Sequence, residues 1–423
     1  MSKQQKKGLV PKLRFPEFQD KGEWELATLK KLASKKTARN IDGKLVRVLT
    51  NSAEHGVVDQ RDYFDKDIAI QGNLENYLIV DVGDFVYNPR ISTFAPVGPI
   101  SKNSVAKGVM SPLYTVFRFK NSDNDFYAYY FKTSAWHLYM RQVGSTGARH
   151  DRMAITNDDF LAMPLPVPLP KEQQKIADCL TSIDELITAQ TRKLDTLKAH
   201  KKSLMQQLFP AEGEAVPKLR FPEFQDKGEW ELATLKKLAS KKTARNIDGK
   251  LVRVLTNSAE HGVVDQRDYF DKDIAIQGNL ENYLIVDVGD FVYNPRISTF
   301  APVGPISKNS VAKGVMSPLY TVFRFKNSDN DFYAYYFKTS AWHLYMRQVG
   351  STGARHDRMA ITNDDFLAMP LPVPLPKEQQ KIADCLTSID ELITAQTRKL
   401  DTLKAHKKGL MQQLFPDMDE INS

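Results

Sequence analysis

Residues 172–208 read EQQKIADCLTSIDELITAQTRKLDTLKAHKKSLMQQL. Apolar side chains return at alternating intervals of four and three: Ile176, Leu180, Ile183 and Ile187, then Leu194 and Leu197, then Leu204 and Leu208, with Gln190 and Lys201 completing the register. That is the heptad seam of a coiled coil, interrupted at two polar positions. A helix of this length spans about 55 Å at 1.5 Å per residue, and such a seam cannot stay in water. The same seam returns at Ile382, Leu386, Ile389, Ile393, Leu400, Leu403, Leu410 and Leu414, so the simplest solution pairs one helix with the other.

The second helix belongs to a larger copy. Val10–Lys202 recurs unchanged as Val216–Lys408, an offset of 206 residues. A period of this length is that of a whole domain, not of a stacked solenoid repeat. The copies first differ at Ser203 against Gly409 and diverge after a shared LMQQLFP. Drift would have scattered substitutions over both copies; perfect identity means very recent duplication or deliberate construction. At 423 residues and 42% hydrophobic content the chain can fill more than one core. Its net charge of +8 favours an anionic partner without identifying it. Cys179 and Cys385 are one position seen twice, which gives no disulfide framework within a copy and suits a reducing compartment. No apolar run approaches the roughly 20 residues of a spanning helix, and the start MSKQQKKGLVPKLRF lacks a signal-peptide core. A cytoplasmic protein without a membrane partner is expected.

Within a copy, residues 45 to 168 read as a mixed α/β domain. KLVRVLT (Lys44–Thr50) and NYLIVDVGDFVYN (Asn76–Asn88) are strand-like, and LYTVFRF (Leu113–Phe119) alternates. Asp125–Val143 predicts one helix, capped by Asp125, with Phe126, Tyr130 and His137 at helical spacing; its aromatics are read as core, not as base-stacking groups. MPLPVPLP (Met163–Pro170) cannot continue a central strand or a helix and forms a stiff exit. The expected architecture is α+β: two mixed α/β domains, at residues 10–168 and 216–374, separated by two long antiparallel coiled-coil helices at 171–209 and 377–415, with pseudo-two-fold symmetry.

No catalytic constellation is present: no phosphate-cradling glycine loop, and no clustered metal ligands among the scattered His55, His137, His150 and His200. Asn88-Pro89 is followed by Arg90, so the Asn-Pro-Pro-aromatic signature of amino-methyltransferases is absent. What remains is a set of loops suited to binding. The first carries Arg90, Ser92 and Thr93, and the second, Gly144–Arg152, carries Ser145, Thr146, Arg149, His150 and Arg152. Arginine can grip guanine or phosphate bidentately, hydroxyls bond phosphates or base edges, and glycine permits close backbone approach. The copies are Arg296, Ser298, Thr299, Ser351, Thr352, Arg355, His356 and Arg358. A third loop, Asn51–Gly56 with Gln60 and Arg61, has similar donors. Two other classes stay open: an enzyme using dispersed carboxylates such as Glu54, Asp81 and Asp84, and an interaction protein whose coiled coil is the functional part.

VPKLRFPEF followed by Gly22-Glu23-Trp24-Glu25, then GDFVYN, GSTGARHDR and above all LPKEQQKIADCLTSIDELI, each present twice, resemble the specificity subunits of type I restriction-modification systems, closest to the type IC group. The resemblance covers nearly the whole chain. It implies a non-catalytic DNA-binding subunit in which two target-recognition domains each read half of a split duplex target. The helices would set their separation and hold two methyltransferase subunits, with restriction subunits as further partners. It also implies that this chain binds no cofactor, S-adenosylmethionine and ATP with Mg belonging to partner subunits. The family normally pairs different recognition domains; here they are identical, so an interrupted palindrome is expected in place of an asymmetric target.

Overall fold

The computed structural model describes residues 9–63, 74–121, 125–146, 151–269, 280–327, 331–352, 357–416 and 418. The chain divides into two units, Met1–Thr191 with Arg398–Ser423, and Arg192–Thr397. Each unit is therefore closed by a helical segment that the other repeat encodes.

In the first unit the strands are β1 (Glu25–Thr28), β2 (Ala33–Lys36), β3 (Leu49–Ser52), β4 (Gly56–Asp59), β5 (Leu78–Val80), β6 (Phe85–Tyr87), β7 (Ile100–Lys102), β8 (Gly108–Met110), β9 (Thr115–Phe119), β10 (Ser145–Thr146), β11 (Met153–Ala154) and β12 (Pro164–Val167). An antiparallel four-stranded sheet, ordered β2-β9-β6-β7, forms the centre, and the remaining strands pair two by two. Alternation explains why this sheet is buried on both faces. Phe85, Tyr87, Phe117 and Phe119 enter one core with Trp24, Phe126 and Tyr130. Val86 and Val116 enter the opposite core with Leu49, Val80 and Met110. The second unit repeats this with Phe291, Tyr293 and Phe323 on one side and Val292 and Val322 on the other.

Three local expectations change. KLVRVLT is strand only from Leu49 onward. NYLIVDVGDFVYN forms two strands in different sheets, because Gly83 turns the chain at φ +89° and the Asp84 carboxylate accepts the Asp81 amide at 2.8 Å. Asp125–Val143 is two short helices, Phe126–Tyr130 and His137–Val143. Thr133 Oγ1 ends the first by donating to the Tyr130 carbonyl at 2.7 Å, and Asp125 makes no cap bond but accepts from Lys102 Nζ at 2.6 Å. The aromatics of this stretch, Phe126, Tyr127, Tyr129 and Tyr130, are buried core. MPLPVPLP supplies β12, which among the described residues pairs with β1 alone; a two-stranded sheet tolerates the missing proline amides.

The long helices run Pro170–Leu208 and Pro376–Leu414. Every seam position, from Ile176 to Leu208 and from Ile382 to Leu414, is buried or half-buried. In the first unit Ile176 and Leu180 pack with Leu410 and Leu414, while Asp184 meets Lys407. Numbers rise on one segment as they fall on the other, so the segments are antiparallel. In the second unit Ile382 and Leu386 pack with Leu204 and Leu208, and Asp390 meets Lys201 at 2.5 Å. The polar seam residue Lys201 thus has a carboxylate partner.

Candidate nucleic-acid interface

Arg90, Ser92 and Thr93 lie on the connection between β6 and β7. This connection returns on itself through paired bonds between Ser92 and Ala95 at 3.0 and 3.1 Å, and through the Asn88 amide to the Pro99 carbonyl at 3.0 Å. Only glycine fits at position 98, where φ is +80° and a Cβ would clash with the Asn88 carbonyl. Asn88 Oδ1 accepts the Arg90 amide at 3.0 Å and its Nδ2 donates to the Asn51 carbonyl at 2.9 Å. Asn51 in turn donates to the Val86 and Pro99 carbonyls at 2.7 and 3.1 Å. The third loop of the sequence reading is thereby fastened under the first. Asn51 Oδ1 is buried without a partner among the described residues, a fixed acceptor at the base of the site.

The second loop joins them. Ile91 donates to the Asp151 carbonyl and Met153 to the Pro89 carbonyl, both at 2.8 Å, so Arg90 stands opposite Arg152. This is the non-hydrogen-bonded type of antiparallel pair, in which side chains come closest, with Cβ atoms about 4.5–5.5 Å apart. Like charges placed directly opposite are destabilising. Among the described residues neither guanidinium has an ion-pair partner. Arg90 is exposed and Arg152 half-buried. The fold thus places two arginines opposite each other, an arrangement that an external anion, or a base edge rich in acceptors, would relieve. Arg296 and Arg358 form the same pair in the second unit.

There the surrounding cleft holds about 330 Å³ and is lined by Asn257, Tyr269, Asn294, Arg296, Ser298, Tyr320 and Arg358 among others. It brings all three loops together. Ser92 Oγ accepts the Ala95 amide at 3.1 Å, which shapes the turn, while Thr93 is exposed. Ser145 is exposed, and Thr146 lies in β10, paired with Met153 of β11. Ser298 and Thr299, and Ser351 and Thr352, occupy the corresponding places. Arg149, His150, Arg355 and His356 fall outside the described residues. Sequence reading missed Phe94, 71% exposed beside Thr93, and Tyr114, whose hydroxyl meets Thr50 Oγ1 at 3.0 Å. Phe94 carried a signal, since an aromatic inside a polar, proline-flanked turn has no core to enter.

Of the three dispersed carboxylates, Asp81 and Asp84 are committed to ion pairs. Asp84 is fully buried and bound to Arg118 Nε at 2.6 Å, and Asp81 pairs with Lys107 at 3.1 Å. Glu54 lies 3.8 Å from His55. Among the described residues no group of three His, Cys, Asp or Glu could hold a metal ion, and no helix is long and apolar enough to cross a membrane.

The sequence profile of the type I restriction modification DNA specificity domain matches residues 23–199 and again residues 229–405. The chain is 23% identical over 328 residues to the type I restriction enzyme MjaVIII specificity subunit of Methanocaldococcus jannaschii, covering 73% of this chain and 74% of the relative. It is 24% identical over 280 residues to the MjaX specificity-subunit relative of that organism, covering 63% of this chain but only 61% of the relative's length. Among solved structures, the S subunit of a type I restriction-modification system from M. genitalium aligns with TM-score 0.54 and 12% identity over 97% of this chain and all of that one. A chain from a study of complex assembly and conformational transition in the type I R-M system aligns with TM-score 0.51 and 15% identity, over 94% of this chain and 97% of that chain. At such identities the likeness is one of fold.

Proposed function

We propose, from the premise that this chain belongs to the type I restriction-modification DNA specificity family, that it is a non-catalytic subunit reading a split duplex target with its two identical domains. The observation that carries the reading is the Arg90–Arg152 pairing, repeated as Arg296–Arg358: two arginines opposite each other across an antiparallel bridge, the second pair lining a cleft built from three loops. Recognition domains at 10–168 and 216–374 would use Arg90, Ser92, Thr93, Ser145, Thr146, Arg149, His150 and Arg152 with their copies. The helices at 171–209 and 377–415 would hold two methyltransferase subunits, which carry S-adenosylmethionine; a restriction subunit would bring ATP and Mg.

Identical domains read identical half-sites. The Asp184–Lys407 and Asp390–Lys201 pairs are one contact made twice with the copies exchanged, and the reading takes the two copies to meet their half-sites in opposite senses. The proposed target is therefore an interrupted palindrome: a short half-site, an unread gap and the reverse complement. The test is selection of bound duplexes from a random library with the purified chain, at a stated salt concentration because phosphate contacts dominate affinity. Enrichment of two inverted half-sites at fixed spacing is expected; recovery of random sequence contradicts the reading. Turnover of DNA by the chain alone, with Mg and S-adenosylmethionine, would contradict its non-catalytic part.

A further inference from the structure

We propose that each unit carries a second, sequence-independent site, a lysine-lined cleft that binds the phosphate backbone of duplex DNA. In the first unit a cleft of about 640 Å³ is lined by Lys12, Lys132, Lys404, Lys407 and Lys408. In the second, a cleft of about 600 Å³ is lined by the equivalent Lys218, Lys338, Lys198, Lys201 and Lys202. Each set is drawn from both repeats and converges only because the helical segments are exchanged.

The charge is in excess. Lys407 and Lys408 lie three and four residues after Lys404 on the helix, spacings at which like charges repel. Lys407 and Lys132 both sit over the Tyr129 ring, 5.3 and 5.1 Å from its centre, with Asp184 as the carboxylate that Lys407 bonds. Burial, and then the repulsion of Lys407, lower the affinity of Lys132 for its proton. Lys12, Lys404 and Lys408 are exposed. Among the described residues the first cleft has no acidic lining group. The second includes Glu212, which Arg347 engages at 3.3 Å. Exposed, strongly hydrated ammonium groups are suited to a phosphate backbone, whereas lysine is depleted at protein–protein interfaces. The observations thus favour a nucleic-acid backbone over an acidic protein segment.

This inference rests on the proposed DNA-reading role and is separable from it. The test replaces Lys12, Lys404 and Lys408, with Lys218, Lys198 and Lys202, by glutamine in the full chain. Binding to the selected target is then titrated against salt. The dependence of log affinity on log salt should flatten by about 0.9 for each lysine that neutralises a phosphate, by about two or more in all, while the selected sequence stays the same. A control with Lys21, Lys30 and Lys44 and their copies Lys227, Lys236 and Lys250 replaced should keep the parent slope. An unchanged slope in the cleft variant, or a slope changed equally in the control, overturns the proposal and leaves the reading role standing. Loss of methyltransferase retention with an unchanged slope assigns the cleft to an acidic protein and equally overturns it. A parent chain that binds no duplex overturns both.

Discussion

Arg14 and Glu172, 158 positions apart, form a buried bidentate pair, Nε to Oε1 at 2.7 Å and Nη2 to Oε2 at 2.9 Å. The third Arg14 nitrogen donates to the Gly22 carbonyl at 2.5 Å. One joint thus ties the VPKLRFPEF segment, the Gly22–Trp24 turn and the first turn of the first long helix. Arg220 and Glu378 repeat it, at 2.6 and 2.9 Å. Removing one member strands a buried charge, which typically costs about 3–5 kcal/mol. Glu172→Ala should lower stability by that order in denaturant titration, and Arg14→Met with Glu172→Leu should recover most of the loss.

The arginine pair at the cleft makes an opposite prediction. Because like charges face each other, Arg90→Ala with Arg296→Ala should leave the thermal midpoint unchanged or slightly raised, a pair of this kind amounting to about 0.2–1 kcal/mol. The same variant should lose about 1–3 kcal/mol of target affinity per half-site and relax one target position. Lower stability with affinity intact would make the pair structural.

What was legible in the sequence was what periodicity encodes. The seam from Ile176 to Leu208 was readable because a 4-3 spacing needs only sequence separation, and the repeat because identity needs no physics. Pairing across distance was not readable. Nothing local tells Arg90 that Arg152 lies opposite, or Arg14 that Glu172 completes it. The split of Asp125–Val143 was hidden because the Thr133 hydroxyl ends a helix by bonding the Tyr130 carbonyl three residues back, an option its neighbours do not announce. The lysine clefts were invisible for a further reason: their members come from different repeats.

Seam burial leads to a second stability prediction. Leu194 and Leu400 are 6% and 5% exposed, and truncating a buried leucine to alanine costs about 2–5 kcal/mol. Leu194→Asp or Leu400→Asp should cost more than any single change in the Arg90 loop, read as lost helicity and a lowered melting midpoint.

His137 sets a pH dependence. Burial, and then Arg141, push it down to about 4 from an ordinary 6.5, and His343 is lowered for the same reasons. The unfolded chain therefore binds protons that the folded chain refuses, so stability rises with pH across this window and is lost as pH falls from about 6.5 toward 4. His137→Gln with His343→Gln should flatten the melting midpoint over that range relative to the parent. An identical pH profile in the variant would show that both imidazoles titrate normally.

The central claim is that two identical domains read one half-site twice, in opposite senses. The most direct measurement is a methylation map of DNA from cells expressing this chain with a cognate methyltransferase. The account predicts modification of one base on each strand at symmetric positions within an interrupted palindrome of fixed gap. A direct repeat of the half-site, or an asymmetric target, would contradict it.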